Sequence, residues 1–302
     1  MRQIAEKPLA GLLEKPLAVT GNIFTIRGSD LEEEFYLLGI INSRLTEFFW
    51  RTMFADFKTS FPQVTVFSLE QLPIKKINPK SKKELAQKKS LVANVKTMLV
   101  AQSAFHSLPL VLDKKIRHSQ RTPCNLAHYL QKDFGDALKH EILIADVQRT
   151  GFVHEISVTA DGKELTLTAT VSADGQGDPS PLPVLRLTFK DEALQHCIYA
   201  RWRQFLADHS RQKKWTKGKK PEPVYPLLVN LLEPLVYFSS GAGDNLRAVR
   251  DLMRAVAGEA GSADLAAIES EIKRLDREID ERVYELYGLS AAEISIVESA
   301  VK

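Results

Sequence analysis

Basic and aromatic side chains are concentrated in one stretch of this chain. Residues 201–220 contain eight lysines and arginines against a single acid, Asp208, with Trp202 and Trp215 among them. Lysine and arginine neutralise phosphates, and an indole ring can stack on a base or a sugar. The stretch therefore has the chemistry of a nucleic-acid contact, although a solvated basic loop would have the same composition. The candidates here are Arg201, Lys213, Lys214, Trp215 and Lys217.

A second group of polar side chains lies nearer the start of the chain. Residues 54–67 follow no helical period, and loops on a rigid scaffold commonly carry recognition. Donors and acceptors of this kind can read the edges of bases, while basic residues hold phosphates and set the register. The candidates for base reading are Arg51, Lys58, Ser60 and Gln63, and those for phosphate contact are Lys75 and Lys76.

Composition limits the class of protein. The chain has 302 residues, of which 44% are hydrophobic and 26% charged, with a formal net charge of +3. These shares are typical of a globular protein, and the charge matters through its uneven placement rather than its total. Only two cysteines occur and the chain opens on no signal peptide, which predicts a reducing, cytoplasmic setting. No apolar run approaches the roughly 20 residues of a membrane span, so we expect no membrane contact.

The first hundred residues predict the elements that position these side chains. We expect a strand over residues 19–26, and then a helix over residues 35–49 with its N-cap at Ser29–Asp30. A turn at residues 72–74 ends this part. Residues 81–84 have the sequence of a capping box, which predicts that a long helix begins there. The apolar stripe of that helix consists of Leu85, Val92, Val95 and Leu99.

The far end predicts a partner for that helix. From Leu265 to Leu286, apolar residues recur every three or four positions, and Gly288 can stop the helix. We expect this helix to pack antiparallel against the one that begins near Ser81. Between them, residues 152–158 and 164–171 alternate as two strands joined by a hairpin turn. A third strand over residues 185–189 and a helix over residues 192–206 complete the predicted insertion.

The predicted fold class is therefore α+β. We expect a target-recognition domain with a long antiparallel helix pair and an inserted small α+β subdomain. The expected division of the chain is 1–80 for the specificity unit, 81–110 for a spacer helix, 111–260 for the insertion with its basic loop, and 261–302 for the heptad helix and tail.

Three short motifs resemble one known family. Residues 38–45 read LGIINSRL, residues 67–74 read FSLEQLPI, and residues 283–298 read VYELYGLSAAEISIVE. The chain resembles the TaqI-like C-terminal specificity domain of adenine-specific DNA methyltransferases and type IIG restriction-modification enzymes, with its "LLGxLNSxL" helix, "LxxLPI" turn and "VYxLYGL…EIxIVE" terminus. The resemblance implies that this part chooses the DNA sequence while another domain does the chemistry.

The catalytic motifs of such enzymes are not found in the sequence. The Asn-Pro-Pro-aromatic loop that holds the target amine has its nearest approach at Asn78–Pro79, which Lys80 follows. Residues 238–245 contain one Gly-x-Gly, which we interpret as a turn whose Asp244 caps a helix. The adjacent His196 and Cys197 point to different sides of a helix and predict no metal site. Glu271 falls among charged heptad positions, where ion pairing explains it.

We therefore expect a sequence-specific DNA recognition module that lacks its own catalytic domain and cofactor. Its expected partners are double-stranded DNA and a methyltransferase, or methyltransferase-nuclease, domain or subunit that binds S-adenosylmethionine. The chain is then the C-terminal part of a longer enzyme or a separate specificity polypeptide of a restriction-modification or phage-defence system. Two alternatives stay open: a compact, divergent S-adenosylmethionine-dependent methyltransferase, and a non-catalytic scaffold subunit of such a complex.

Overall fold

The computed structural model describes residues 7–13, 23–54, 64–117, 123–124, 134–173, 177–212, 220–231, 236–237 and 242–301. The chain divides into two compact units. Unit one comprises Met1–Gln102 and Ser270–Lys302, and unit two comprises Ser103–Glu269. The finer division that we expected from the sequence, at residues 80, 110 and 260, stays a prediction.

Unit one begins with two helices separated by a short break. Helix α1 spans Leu31–Ile41 and helix α2 spans Arg44–Met53. Asp30 caps α1 as predicted, because its carboxylate accepts a 2.8 Å hydrogen bond from an amide in the first turn. The prediction of one continuous helix over residues 35–49 is wrong. Ser43 takes an extended conformation and its hydroxyl caps α2, so the chain starts a second helix there.

Helix α3 is a single turn that begins within the predicted recognition segment, residues 54–67. It spans Val66–Glu70, where the sequence had indicated irregular structure as far as residue 67. Thr65 and Ser68 form a capping box that fixes this turn. The strand predicted over residues 19–26 is not found in its described part, where Ile23 forms only an isolated bridge.

Helix α4 is long and begins where the sequence predicts. It spans Lys82–Arg117, and the hydroxyl of Ser81 accepts a hydrogen bond from the Glu84 amide at 3.3 Å. The other half of the predicted capping box is wrong. The Glu84 carboxylate instead accepts from the Asn78 amide at 2.8 Å, so it fixes the turn before the helix rather than the cap residue.

Helix α4 pairs with helix α8, which spans Leu265–Tyr287, inside unit one. Gln87 donates to the carbonyl of Glu285 at 3.2 Å and Asn94 donates to the carboxylate of Glu278 at 3.3 Å, so the helices run antiparallel there. The side chains that share this core with α1 are Leu91, Val92, Val95, Ile279, Val283 and Leu286. Leu85 lies outside the stripe, with 44% of its surface exposed, contrary to the prediction.

The end of α8 follows its sequence signal. Gly288 adopts a positive φ of 70°, a conformation that glycine takes without a Cβ clash, and the helix stops there. Helix α9 follows at Ala291–Ala300, and Ser290 and Glu293 form a reciprocal capping box. Unit one is therefore a helical body built from both ends of the chain.

Unit two contains an antiparallel sheet. Its strand order is β2-β5-β4-β3-β6, and each neighbouring pair is antiparallel. The strands are β2 Leu138–Ile142, β3 Thr150–Asp161, β4 Glu164–Ser172, β5 Ser180–Phe189 and β6 Glu222–Pro223. A separate pair joins β1, Pro123–Cys124, to β7, Val236–Tyr237. The predicted hairpin is confirmed: Asp161 pairs with Glu164, and Gly162 takes a φ of 53°.

Three helices accompany the sheet in the described part of unit two. Helix α5 spans Glu192–Gln212, α6 spans Val224–Leu231 and α7 spans Ala242–Ala260. Helix α5 contacts β3, β4, β5 and α7. It is longer than the predicted 192–206, so Arg201 and Arg203 lie on a helix rather than in a basic loop. Trp202 has 0% exposure and cannot stack on a base in this conformation.

The mixed helix and strand content confirms the α+β fold class. The finer arrangement of recognition domain, spacer and insertion stays a proposal. Among the described residues, one helix, Lys82–Ile116, is long and apolar enough to cross a membrane by length and composition. A single such helix is weak evidence, and here its Leu91, Val92 and Val95 are buried in the unit-one core. The expectation of no membrane contact stays a prediction.

Candidate nucleic-acid interface

The LGIINSRL motif holds three segments of unit one together. A Cβ on Gly39 would lie 2.9 Å from Cγ2 of Val95, so only glycine allows α1 this close to α4. The carboxamide of Asn42 accepts from the Ala10 amide at 2.9 Å and donates to the Ala10 carbonyl at 3.0 Å. Ser43 caps α2 and is buried. These motif residues therefore position the unit and do not themselves present groups for recognition.

Arg44, the next residue of the motif, joins it to the far end of the chain. Its amide donates to Oδ1 of Asp280 at 2.8 Å, and its guanidinium lies 3.4 Å from Oδ2. The same guanidinium forms an ion pair with Glu298, which also accepts from the hydroxyl of Tyr284 at 2.7 Å. The LGIINSRL motif and the VYELYGL…EISIVE motif are thus in direct contact, although 236 residues separate Arg44 from Asp280.

Burial controls the acidity of Asp280. Its side chain is only 7% exposed, and this desolvation raises the pKa of the carboxyl to about 7. The hydrogen bond from the Arg44 amide and the charge of Arg44 oppose the shift, while Asp276 and Glu298 add to it. The protonated carboxyl is therefore favoured in the folded protein relative to the unfolded chain.

We expect the stability of unit one to fall as the pH rises from about 4 to about 7. A carboxyl whose pKa is higher in the folded state binds more protons there, so the free energy of unfolding decreases with pH between the two pKa values. The slope for one proton is at most about 1.4 kcal/mol per pH unit. Urea denaturation at several pH values should show this slope, and Asp280→Asn should remove it. Glu281→Gln alters an exposed neighbour and should keep it; equal slopes for Asp280→Asn and the parent would contradict the assignment.

The Leu-Pro-Ile turn contacts the end of α8. Tyr287 donates its hydroxyl proton to the Pro73 carbonyl at 2.5 Å and accepts from the Lys75 amide at 3.1 Å. The ammonium of Lys75 donates to the Leu286 carbonyl at 2.6 Å, where a cation complements the negative end of the helix. Lys75, predicted to contact phosphate, therefore has a structural partner in this conformation. Lys76 is exposed beside it.

The predicted recognition segment, residues 54–67, is described only at residue 54 and at residues 64–67. Phe54 and Val64, which flank residues 55–63, pack in one cluster with Trp50 and Leu72. Phe54 also makes aromatic contacts with Trp50 and with Phe49, at centroid distances of 5.0 and 5.9 Å. Three of the predicted base-reading residues, Lys58, Ser60 and Gln63, lie outside the described residues.

Arg51, the fourth base-reading candidate, lies on α2 just before this segment. Its side chain is 48% exposed and donates to the carboxylate of Glu47 at 2.5 Å. Glu47 is itself nearly buried and also forms an ion pair with Lys7. Because two cations share one carboxylate, this site keeps a net positive charge, and the exposed guanidinium can contact a further acceptor.

Sequence reasoning missed a group of lysines at the start of α4. Lys80, Lys82 and Lys83 are exposed and lie in or next to the first turn, and Lys76 precedes them. We call these four residues the lysine cluster. Cations are unfavourable at the positive end of a helix dipole, and among the described residues no acid pairs with these ammonium groups. The sequence signal was the basic linker itself, from which only Lys75 and Lys76 had been singled out.

The basic candidates of unit two are only partly described. Arg201 donates to the carboxylate of Asp113 at 3.0 Å, and Arg203 to that of Glu269 at 2.5 Å. Both guanidinium groups therefore have acidic partners within the unit. The other candidates, Lys213, Lys214, Trp215 and Lys217, lie outside the described residues, so their roles stay predictions.

The sequence features that were considered as possible cofactor or nuclease sites, the Gly-x-Gly turn and Glu271, have structural explanations. Asp244 lies in the first turn of α7 instead of capping it, because the helix begins at Ala242. The described strands pair antiparallel, whereas a dinucleotide-type glycine turn opens a helix from a parallel sheet. Glu271 forms an ion pair with Arg274, so the predicted ion pairing is confirmed, although at a spacing of three residues and not the expected four. No metal-binding group of histidine, cysteine, aspartate or glutamate is present among the described residues.

Comparison with known proteins gives one match. Residues 1–74 match the family model described as the TaqI-like C-terminal specificity domain. This match supports the resemblance over the first quarter of the chain, and it points to DNA recognition within methyltransferase systems. Neither the curated proteins nor the solved structures contain a match to this chain.

Proposed function

We propose that this chain is the sequence-specific DNA recognition module of an adenine-specific DNA methyltransferase or a type IIG restriction-modification enzyme. The observation that carries the proposal is the specificity-domain match over residues 1–74, joined to the contact between Arg44 and the far-end residues Asp280 and Glu298. A unit assembled in this way brings together the LGIINSRL motif and the VYELYGL…EISIVE motif. We place it in the cytoplasm, where the DNA lies.

The proposed mechanism separates anchoring from reading. The lysine cluster neutralises phosphates and sets the register, and exposed Arg51 with the segment 55–63 contacts base edges. In unit two, Lys213, Lys214 and Lys217 add phosphate contacts, whereas Arg201 is already paired with Asp113. S-adenosylmethionine would supply the methyl group in a methyltransferase domain or subunit that works with this chain.

Calorimetry with S-adenosylmethionine tests whether this chain recognises DNA without binding the methyl donor itself. We expect no binding heat and no transfer of labelled methyl groups to adenine by the purified chain alone. Saturable binding at micromolar concentration with methyl transfer would instead favour a compact methyltransferase. Duplex binding without a steep dependence on salt would favour a scaffold.

Removing Gln63 tests base reading within the proposed segment. Gln63→Ala is expected to relax the sequence preference, because an amide side chain can make a paired contact with adenine. The loss of discrimination should correspond to roughly 1–3 kcal/mol at one base position. Selection from a random duplex pool measures it. Gln148→Ala changes an exposed glutamine in unit two and should leave the preference unaltered; an unchanged preference in Gln63→Ala would remove this residue from the interface.

A further inference from the structure

Helix α3 presents apolar side chains to solvent. Phe67 has 69% of its surface exposed and Val66 has 53%, although both belong to an ordered helical turn. A large aromatic side chain held in water has lost the hydrophobic stabilisation that burial would give it. Exposed apolar groups of this size at a defined position commonly mark a contact surface.

The backbone that carries Phe67 is fixed by three neighbours. Thr65 accepts a hydrogen bond from the Ser68 amide, and Ser68 in turn accepts one from the Thr65 amide at 3.0 Å. Ser68 is buried, and Leu69 packs against the cluster that contains Val64. The phenyl ring therefore projects from a rigid turn rather than from a mobile loop. The backbone position from which the ring projects is set before any partner binds, which lowers the entropic cost of a contact.

Helix α3 lies next to the segment that is proposed to read bases. Val64, two residues before Val66, is one anchor of the segment 55–63, and Phe54 is the other. Met53, next to Phe54, is also apolar and 58% exposed. Exposed apolar side chains thus lie at both ends of the proposed base-reading segment.

The size of the surface indicates which kind of partner it fits. A stable protein interface buries about 800 Å² on each side, whereas a phenylalanine and a valine offer roughly 200–300 Å² in total. The turn is bordered by exposed Thr65 and Glu70, which limit the apolar area. Glu70 lies one turn after Phe67 and its carboxylate repels phosphate. The surface therefore suits a single base in a groove and not the DNA backbone or a protein.

We infer that Phe67, supported by Val66, makes an apolar contact with one base of the recognised duplex and so helps to determine its sequence. This inference rests on the proposed function. The chemistry available is contact with the thymine methyl group or with the exposed face of a partly unstacked base. Such a contact adds affinity for the recognised sequence without neutralising a phosphate.

The test compares Phe67→Ala with Ile296→Ala in the full chain. Ile296 is an exposed apolar residue on α9, 57% exposed, and serves as a matched control. The probes are a duplex enriched by the parent from a random pool and an unselected duplex of equal length. For Phe67→Ala we expect about a tenfold loss of affinity for the enriched duplex, within the range for aromatic–base contacts, and an unchanged salt slope. Ile296→Ala should bind as the parent does.

Thymine-to-uracil replacement in the enriched duplex locates the contact. If Phe67 contacts a thymine methyl group, uracil at one position should weaken binding by the parent and have no effect on binding by Phe67→Ala. If Phe67 only stacks on a base, the parent should bind all the uracil-containing duplexes equally. Parent-like affinity of Phe67→Ala for the enriched duplex would overturn the inference and leave the proposed function intact. Absence of any enriched sequence for the parent would overturn both.

Discussion

Val283→Asp is expected to unfold unit one. Val283 has 0% exposure and packs in the core that joins α1, α4 and α8. A carboxylate buried there has no partner, and an uncompensated buried charge costs about 3–5 kcal/mol. This cost is comparable to the whole net stability of a small domain, which is about 5–15 kcal/mol. Circular dichroism should record a loss of helical signal, and hydrogen exchange should show lost protection in residues 31–53.

Glu281→Asp is the control for that substitution. It places the same side chain two residues earlier on α8, at an exposed position, without changing the net charge. Its melting temperature should stay close to that of the parent. If Val283→Asp kept the protection of residues 31–53, the far end of the chain would not be part of this core and the description of unit one would be wrong.

Replacing Lys76, Lys80 and Lys83 together with alanine is expected to weaken binding to every duplex alike. Each lost phosphate contact should lower the slope of log affinity against log salt by about 0.9, so the triple variant should lose up to about 2.7. All three side chains are exposed, and the fold should not change. A salt titration of binding to both selected and unselected duplexes measures the effect.

The matched control removes the same charge from unit two. Lys139, Lys163 and Lys190 are exposed, and replacing them with alanine lowers the net charge by the same three units. This variant should keep the parental slope. Equal losses in the two triple variants would mean that only net charge matters, and the lysine cluster would then have no special role in anchoring.

Elements with strong local signals could be predicted from the sequence. The hairpin at Gly162, the cap at Asp30 and the stop at Gly288 depend on residues within one turn of the feature. The apolar seam of α8 was also predictable, because an amphipathic helix places its core residues at regular intervals. These features need no knowledge of the rest of the chain.

Features decided by distant contacts could not be predicted. Helix α4 continues past Pro109, a residue that usually ends helices, because Leu108, Leu112 and Ile116 are buried on one side of it. The break before α2 is fixed by Asp280, which accepts from the Arg44 amide at 2.8 Å from the other end of the sequence. In both cases tertiary packing overrode a local preference. Glu84 differs, because the Asn78 amide that it binds is only six residues away.

The sequence predicted the kind of contact that the candidate site makes, but not which residues are free to make it. Basic composition indicated phosphate contact, but it could not separate Lys75, which binds the end of α8, from Lys76, which is exposed. Nor could it show that Arg201 faces Asp113. Charge patterning identifies residues that are able to contact DNA. Only geometry identifies those whose charge is already used within the fold.

The family motif illustrates the same distinction. Gly39 and Asn42 are spaced to fit the fold, and their contacts lie within unit one. The residues proposed to read bases, which are Arg51, Lys58, Ser60 and Gln63, lie outside this motif. A motif of structural residues can therefore mark a recognition domain without containing any recognition residue.

Selection of duplexes from a random pool by the purified full chain tests the central claim most directly. We predict enrichment of one defined sequence, bound at least about a thousandfold more tightly than unselected duplex at physiological salt. Binding that rises steeply at low salt but enriches no sequence, or no binding at all, would contradict the account of this chain as a target-recognition module.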